Sequence, residues 1–253
     1  MLRRAPLLLL LALVMPSPAG AAPVDPLWLK AIESAARAKQ WSPGEMRLAI
    51  EMADDKGKVL ETWDNRYRLS LGTDGAVHTE VVSAVRNGKD ETRKEREAQA
   101  KREAQAKREA QAKREIQAER GGSAQPDGES AWTGFLDNPF DAAVQESVEI
   151  RPLAGTRAIA GRSCVAFAFT LAKPKNAVAE GTAWLDAAIG LPVEVVSSPK
   201  PLPWAAHELI TTVRYTDGLV SEVRVEGSGT LLFLKRRFSS VVTLGSWFRL
   251  PGG

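Results

Sequence analysis

The sequence predicts a mainly β fold with helices, built on one antiparallel sheet of about 10 to 11 strands. Apolar and polar residues alternate over most of the chain, which is the period of strands with one buried face. Tight-turn sequences such as Asn87-Gly88 separate these alternating stretches at short intervals. Helical features are confined to an early segment and to one charged repeat, so the helices are additions to a meander of strands.

The first 21 residues have the features of an export signal. Arg3 and Arg4 form a short basic region, and residues 7–15 are an apolar core too short to span a bilayer. Ala19-Gly20-Ala21 supplies small residues for cleavage. We therefore expect a cleaved signal at residues 1–21 and a periplasmic location. No apolar run of about 18 residues occurs, so no transmembrane anchor is expected.

A short amphipathic helix is predicted directly after the signal. Asp25 can cap its N-terminus, and Pro26 suits its first turn. The apolar positions share one face at helical spacing, and they are Trp28, Ala31, Ile32 and Ala35. The helix is expected to end before Ser42-Pro43-Gly44.

The strands are predicted from period-two alternation in two blocks. The first block holds residues 46–53, 63–71 and 77–85, with turns at residues 54–57 and 73–75 and at Asn87-Gly88. A helical turn at residues 141–146 precedes the second block. Its strands are expected at residues 147–151, 156–159, 165–171, 181–186, 191–195, 209–215, 223–225, 231–234 and 239–244. We interpret the proline-rich residues 199–203 as a rigid linker.

A low-complexity helix is predicted at residues 89–120. From Lys101 the sequence repeats KREAQA, in which every residue favours helix. Asp90 is a candidate N-cap. Oppositely charged residues four positions apart, such as Glu97 and Lys101, also favour the helix. Six residues turn a helix by roughly 600°, so successive repeats face different sides, and neither a coiled-coil seam nor a basic stripe forms. We expect a solvent-exposed helix that packs on nothing. Replacing residues 88–127 by a short turn should then change the free energy of unfolding by no more than about 1 kcal/mol.

Charge is unevenly distributed along the chain. The 34 Lys and Arg exceed the 31 Asp and Glu by 3, and the sequence pI is about 9.0. The excess lies in the signal and the charged repeat, so the remaining chain is near neutral and no nucleic-acid partner is expected. We predict a single folded domain at residues 22–88 and 131–250, with a flexible linker at residues 121–130.

The sequence offers little polar chemistry. A single Cys excludes an intramolecular disulfide and a Cys-based zinc site, and two His are too few for a His-rich metal site, so no metal and no cofactor are expected. A catalytic triad could be drawn from Ser163 or Cys164 with His78 or His207, but no G-x-S-x-G turn supports it. We expect a protein that is not an enzyme, with Cys164 and the two histidines far apart.

Residues 181–193, GTAWLDAAIGLPV, carry a family resemblance. They resemble the G-x-x-W-L-D-x-x-x-G-L-P hairpin of the LolA/LolB/RseB-like group of periplasmic lipoprotein carriers. The resemblance implies a half-open β-barrel, which is a strongly curved sheet around an apolar hollow with helices as a lid. The charged repeat and the proline-rich stretch depart from the simple carriers. LolB-like proteins also carry an N-terminal lipid-bearing Cys, whereas the only Cys here is Cys164.

The aromatic content of the sequence indicates that the candidate site is an apolar binding face. Seven Trp and seven Phe serve the folded domain, and an incompletely closed sheet needs side chains or a ligand to fill its hollow. The predicted lining residues are Leu48, Ile50, Trp63, Tyr67, Leu69, Phe167, Phe169 and Trp184.

Two functions remain open from the sequence. The first is a periplasmic carrier or binding protein for lipid or lipidated protein, which would hold acyl chains. The alternative is an RseB-like envelope-stress regulator or protein-binding scaffold, whose partner would be an envelope protein.

Overall fold

The structure is a computed structural model that describes residues 25–73, 75–120, 138–173, 177–203, 205–231 and 234–251. The expected signal at 1–21 and linker at 121–130 lie outside these residues. The helices are α1 (Pro26–Ala38), α2 (Thr92–Arg120) and a 3-10 helix (Ala142–Ser147). The strands are β1 (Trp41–Ser42), β2 (Glu45–Asp54), β3 (Val59–Leu71), β4 (Val77–Arg86), β5 (Lys89–Asp90), β6 (Val148–Ile159), β7 (Arg162–Ala172), β8 (Val178–Asp186), β9 (Pro192–Lys200), β10 (Ala206–Thr216), β11 (Leu219–Leu231), β12 (Leu234–Gly245) and β13 (Phe248–Arg249).

Eleven strands form one open antiparallel sheet in the order β5-β4-β3-β2-β12-β11-β10-β9-β8-β7-β6. Two meanders compose it, β2 to β5 and β6 to β12, and they join where β2 pairs with β12. The short strands β1 and β13 pair separately. The predicted class is confirmed: the fold is mainly β, and the unclosed sheet belongs to the half-open barrel class.

Cross-strand register divides the sheet into two faces. Phe167 lies opposite Ala183, which lies opposite Val195, and the same row continues through Val213 and Val223. We call this side the apolar face. The side chains between these positions point to the other side, which we call the polar face because it carries most of the cross-strand ion pairs.

Helix α1 covers one end of the apolar face. Asp25 caps it as predicted, since its carboxylate accepts a hydrogen bond from the Leu27 N–H at 2.8 Å. Trp28 is 1 % exposed, and its ring centroid lies 4.8 Å from that of Phe140 and 5.7 Å from that of Phe167. The core therefore lies between α1, the 3-10 helix and strands β7 to β11.

The charged helix and the segment that contains it differ from the prediction in three respects. It begins at Thr92, and Asp90 accepts a hydrogen bond from the Thr92 N–H at 2.8 Å. Its first turns contact β4, so the expectation of a helix that packs on nothing is wrong for that part. The segment from β5 to β6 also joins opposite edges of the sheet and is not a hairpin loop. From residue 101 to residue 105 every side chain is exposed, as expected.

Three strand boundaries also differ from the predictions. The two strands expected at 147–151 and 156–159 form one strand, β6, with an irregularity between Leu153 and Thr156. Pro199 belongs to β9 and pairs with Ala179, so the linker expected at 199–203 begins later. The segments at 223–225 and 239–244 are parts of the longer strands β11 and β12.

Candidate functional site: the apolar face between the helices

The helices contact the two ends of the sheet. α1 packs mainly on β8, the 3-10 helix packs on β7, and α2 packs on β4. Strands β3, β2 and β12 lie between these ends in the sheet order. The apolar side chains on these middle strands are therefore the part of the apolar face where a ligand could lie.

Five half-buried apolar side chains form what we call the middle strip: Leu48, Ile50, Met52, Trp63 and Phe238. Register places them together, because Ile50 pairs with Trp63 and Met52 pairs with Phe238. None of the five belongs to the fully buried core under α1. Together they place large apolar side chains on three neighbouring strands, next to polar residues such as Asn65, which pairs with Leu48.

The eight predicted lining residues divide into three groups. Leu48, Ile50 and Trp63 lie in the middle strip, and Tyr67 lies half-buried beside it on the same face. Phe167, Phe169 and Leu69 share the apolar face but are buried, at 2 %, 3 % and 6 % exposure. The first two of these fill the core under α1, so they are not available to line a hollow.

Trp184 is the exception, and its grouping with the other seven needs correction. It pairs with Ala166 and Glu194, one position out of phase with Phe167, so it lies on the polar face. There the Arg157 guanidinium lies 5.6 Å from its ring centroid, at the distance of a cation–π contact. The alternation of β8 fixes which residues share a face with Trp184, but it does not show which face is apolar.

Sequence reasoning missed Met52 and Phe238. Met52 ends the alternating run of β2 that already includes Leu48 and Ile50, so the signal for it was present. Phe238 follows Arg236-Arg237, and its place beside Met52 depends on the pairing of β12 with β2, which joins residues distant in sequence. Local periodicity carries no information about that pairing.

Polar groups border the middle strip at Trp63. The Trp63 indole N–H donates to Glu61 Oε1 at 3.0 Å, and the Arg86 guanidinium lies 5.3 Å from the ring centroid while pairing with Glu61. These contacts fix the ring orientation and leave one face of the strip apolar. The charge pair marks the end of the strip nearest the β4–β5 turn.

Tyr67 borders the strip towards α2. Its hydroxyl accepts a hydrogen bond from Asn65 Nδ2 at 3.2 Å. Burial raises the pKa of Tyr67, and the nearby carboxylate of Glu95 on α2 raises it further. Glu95 itself pairs with Arg102 at 2.6 Å. Charged groups of α2 therefore lie close to this border of the apolar face.

The polar face has a different character. Glu194 is 7 % exposed and is compensated by Arg214 at 3.2 Å and Arg157 at 4.0 Å. The series continues from Arg214 to Glu222 at 3.2 Å and from Glu222 to Arg224 at 3.4 Å. Such a ladder of alternating charges stabilises neighbouring strands, since opposite charges face each other across them.

Two open clefts lie on the polar face. One has a volume of about 640 Å³, with Glu51, Glu208, Glu226 and Arg237 among its lining residues. The other has a volume of about 420 Å³, and it includes Glu180 and Lys200. Charged linings of this kind do not suit an acyl chain, because an unpaired buried charge is costly.

Ser163 and Cys164, considered for catalysis, lie together on β7, whereas the two histidines lie on two other strands. His78 is exposed on β4, and His207 is exposed on β10, where a ring nitrogen lies 2.7 Å from Thr230 Oγ1. Cys164 is buried on β7, and burial raises the pKa of its thiol. Within the described residues, no group of three or more His, Cys, Asp or Glu side chains could hold a metal ion. Over the same residues, no helix is both long enough and apolar enough to cross a membrane.

The hairpin at 181–193 contacts α1. Asp186 Oδ1 accepts from the Ala188 N–H at 2.9 Å, and Gly190 takes a positive φ of 73°, as the sequence predicts. A Cβ at Gly190 would lie 2.9 Å from Cβ of Lys30 on α1. The hairpin thus needs glycine both for its backbone conformation and for close packing against the helix.

No protein-family model matches the chain. No curated protein matches it in sequence. Solved structures with a similar chain path include a LolA superfamily protein from Nitrosomonas europaea. The two sequences are 12% identical, the match covers 90% of this chain and 93% of that chain, and the TM-score is 0.35.

Two other similar structures are an outer membrane lipoprotein-sorting protein domain from Vibrio parahaemolyticus and the MucA/MucB complex from Pseudomonas aeruginosa. The first has 10% identity and a TM-score of 0.31, and covers 89% of this chain and 94% of that chain. The second has 12% identity and a TM-score of 0.23, with 88% and 97% covered. These structures include members of the group that the hairpin at 181–193 resembles.

Proposed function

We propose that the protein is a non-catalytic binding or carrier protein for lipid or lipidated protein, exported to the periplasm by residues 1–21. The ligand would be an acyl chain lying on the middle strip. The observation that carries this proposal is the position of the strip: five large apolar side chains remain half-buried between two helix-covered ends of one sheet.

The energetics favour an apolar ligand at this place. Burying one methylene group contributes about 0.8 kcal/mol, so an acyl chain that covers the strip along several methylenes gains several kcal/mol. The strip presents methyl, thioether and aromatic groups, and its polar neighbours Glu61 and Arg86 already satisfy each other. An acyl chain therefore covers the strip without leaving a charge unpaired.

Binding of a fluorescent fatty-acyl probe to delipidated protein tests the proposal. Saturable binding with one site is expected. Ile50→Gln should weaken the probe affinity about tenfold, which corresponds to about 1.4 kcal/mol of lost apolar contact. Absence of saturable binding to folded wild-type protein would refute the proposal.

A matched control lies one position away on the same strand. Ala49→Gln places the same amide on the polar face, since Ala49 pairs with Asp64 and Val241 out of phase with the strip. It should leave probe affinity unchanged. Equal weakening by both variants would show that the probe does not bind the middle strip.

The same variants test the alternative function in a capture experiment. If wild-type protein binds no acyl probe but captures an envelope membrane protein, and Ile50→Gln abolishes that capture while Ala49→Gln does not, the strip binds protein. The protein would then be an envelope-stress regulator or scaffold of the RseB type.

A further inference from the structure

Three large apolar side chains are exposed on two neighbouring hairpin turns at one end of the sheet. Val59 and Leu60 follow the β2–β3 turn, and Leu234 begins β12; they are 47%, 42% and 53% exposed. The two turns are adjacent because β2 pairs with β12, and at this end Asp54 lies opposite Arg236. Exposed apolar side chains that gather at one place mark a surface for a partner.

The same two turns carry a surplus of basic side chains. Residues 55–60 and 234–237 hold one acidic and five basic side chains, which are Asp55, Lys56, Lys58, Lys235, Arg236 and Arg237. All six are exposed except Arg236, which is half-buried. We call residues 55–60 and 234–237 the basic end of the sheet. Its charge attracts an anionic partner.

The β2–β3 turn is fixed by its own hydrogen bonds. Asp54 Oδ1 accepts from the Lys56 N–H at 3.0 Å and from the Lys58 N–H at 2.8 Å. The backbone that carries both lysines and Val59 is therefore ordered before a partner arrives. Such preorganisation lowers the cost of binding, since less of the chain must become ordered on contact.

The opposite end of the sheet has a different charge. Leu71 is exposed there at the end of β3, but residues 72–76, which follow it, include no basic residue. At the β8–β9 and β10–β11 turns, Asp186 and Asp217 both pair with Arg162, at 3.8 and 2.9 Å. Apolar exposure around Leu71 is thus not accompanied by a basic surplus, whereas at the basic end the two coincide.

This combination of side chains suits the surface of an anionic phospholipid bilayer. Valine and leucine enter the boundary between headgroups and acyl chains, while the long stems of lysine and arginine keep their charges at the level of the phosphates. A stable interface with a protein takes about 20–30 residues a side, and the two turns offer far fewer. A bilayer needs no matching shape, so two short turns are enough to contact it.

We propose that the basic end docks on the surface of an anionic phospholipid membrane, with Val59, Leu60 and Leu234 in the bilayer interface. Docking goes beyond the binding of an acyl chain and does not depend on it. Affinity comes from the buried apolar area and from the attraction of lysine and arginine to anionic headgroups.

The basic end adjoins one end of the middle strip. Met52 pairs with Phe238, and two positions further along the same strands Asp54 pairs with Arg236 at the turns. Docking therefore brings the Met52 end of the strip closer to lipid than the Leu48 end.

Co-sedimentation with vesicles at low salt tests the docking. Vesicles of phosphatidylcholine mixed with phosphatidylglycerol are the anionic probe, and vesicles of phosphatidylcholine alone are the neutral control. Wild-type protein should bind the anionic vesicles about tenfold or more tightly than the neutral ones, and high salt should weaken this binding. The proposal is overturned if the folded protein binds neither kind of vesicle, or binds both equally.

Two matched pairs of leucine substitutions locate the surface. Leu60→Gln with Leu234→Gln should weaken binding to anionic vesicles about tenfold, because less apolar surface enters the bilayer. Leu71→Gln with Leu29→Gln changes two leucines of similar exposure, 40% and 47%, away from the basic end. This control should bind like wild type. Equal weakening by both pairs would overturn the assignment.

A second pair keeps the proposal testable if the first does not fold. Lys58→Gln with Lys235→Gln should weaken binding about tenfold or more and reduce its salt dependence. Lys30→Gln with Lys101→Gln removes the same charge from exposed lysines of α1 and α2. Equal weakening by these two pairs would mean that net charge alone attracts the protein to the vesicle, and docking by the basic end would be refuted.

Ile50→Gln separates docking from acyl-chain binding. This variant is expected to weaken binding of the acyl probe, and it should leave co-sedimentation with anionic vesicles unchanged because Ile50 lies outside the basic end. Loss of vesicle binding in Ile50→Gln would show that the membrane contacts the middle strip instead, and would overturn docking by the two turns.

Discussion

At the scale of single residues, two glycines lie directly opposite phenylalanines on neighbouring strands. Gly181 pairs with Phe169, and Gly227 pairs with Phe238. A Cβ at either glycine would lie 2.7 Å from the paired aromatic ring, so each ring covers the glycine backbone. This contact is a physical reason for glycine at the start of the G-T-A-W-L-D segment, apart from any turn.

The Gly181 contact predicts a large effect of one methyl group. Gly181→Ala should lower the free energy of unfolding by about 1 to 3 kcal/mol, because the added Cβ overlaps the Phe169 ring and the Val196 carbonyl. Gly245→Ala is the control, since its Cβ would meet nothing within 4 Å. Urea unfolding of both variants measures the difference. A Gly181→Ala protein as stable as Gly245→Ala would contradict the packing described for Phe169.

The Arg47–Asp64 pair predicts a pH dependence of stability. Arg47 donates two hydrogen bonds to the carboxylate, at 2.9 and 2.7 Å, and these bonds lower the pKa of Asp64. A carboxyl with a lowered pKa in the folded state stabilises the protein above its unfolded pKa of about 3.9, and loses that contribution as pH falls. Both side chains are substantially exposed, so the contribution is below about 1 kcal/mol.

A double-mutant cycle measures this contribution. The coupling free energy between Arg47→Gln and Asp64→Asn, obtained from urea unfolding, should be present at pH 6 and decline towards zero near about pH 2. It should also decrease in high salt, because exposed ion pairs are screened. A coupling that stays constant between these pH values would show that the pair does not titrate as described.

At the scale of elements, α2 has two parts with different surroundings. Its first turns bind β4 through Thr92, Arg96 and Gln99, whereas residues 101–105 are exposed on all sides. Its 29 residues extend about 44 Å at 1.5 Å per residue. A change in the far part of the helix should therefore leave the sheet intact.

Replacing residues 106–120 by a Gly/Ser segment of the same length tests that division. The free energy of unfolding should change by no more than about 1 kcal/mol, while far-ultraviolet circular dichroism should lose helical signal. If the replacement of residues 106–120 costs several kcal/mol, the far part of the helix packs on the domain.

At the scale of the whole molecule, the two meanders meet at β2 and β12, and the helices lie towards the outer strands. α1 packs mainly on β8, and α2 packs on β4, so the middle strip lies at the junction of the meanders. In the function that we propose, this apolar surface between two covered ends would be the binding face beside a stable core. The polar face carries most of the cross-strand ion pairs, so the hydrophobic ligand that we propose would lie on the apolar face.

The sequence by itself determined the local structure of this protein. Period-two alternation placed the strands, Asn87-Gly88 and Gly190 marked turns that the structure shows with positive φ, and Asp25 capped α1 as predicted. These features follow from contacts within a few residues, where side-chain periodicity and backbone sterics decide the outcome.

Only the tertiary structure decided the relations between distant segments. The pairing of β2 with β12 brought Phe238 beside Met52, and it made the strip a surface of three strands. Alternation fixes which residues of a strand share a face, but only long-range register shows which face joins the core. For that reason Trp184 was wrongly predicted to line the apolar face. The contact of α2 with β4 depends on polar side chains binding an edge backbone, and hydrophobic patterning contains no signal for such a contact.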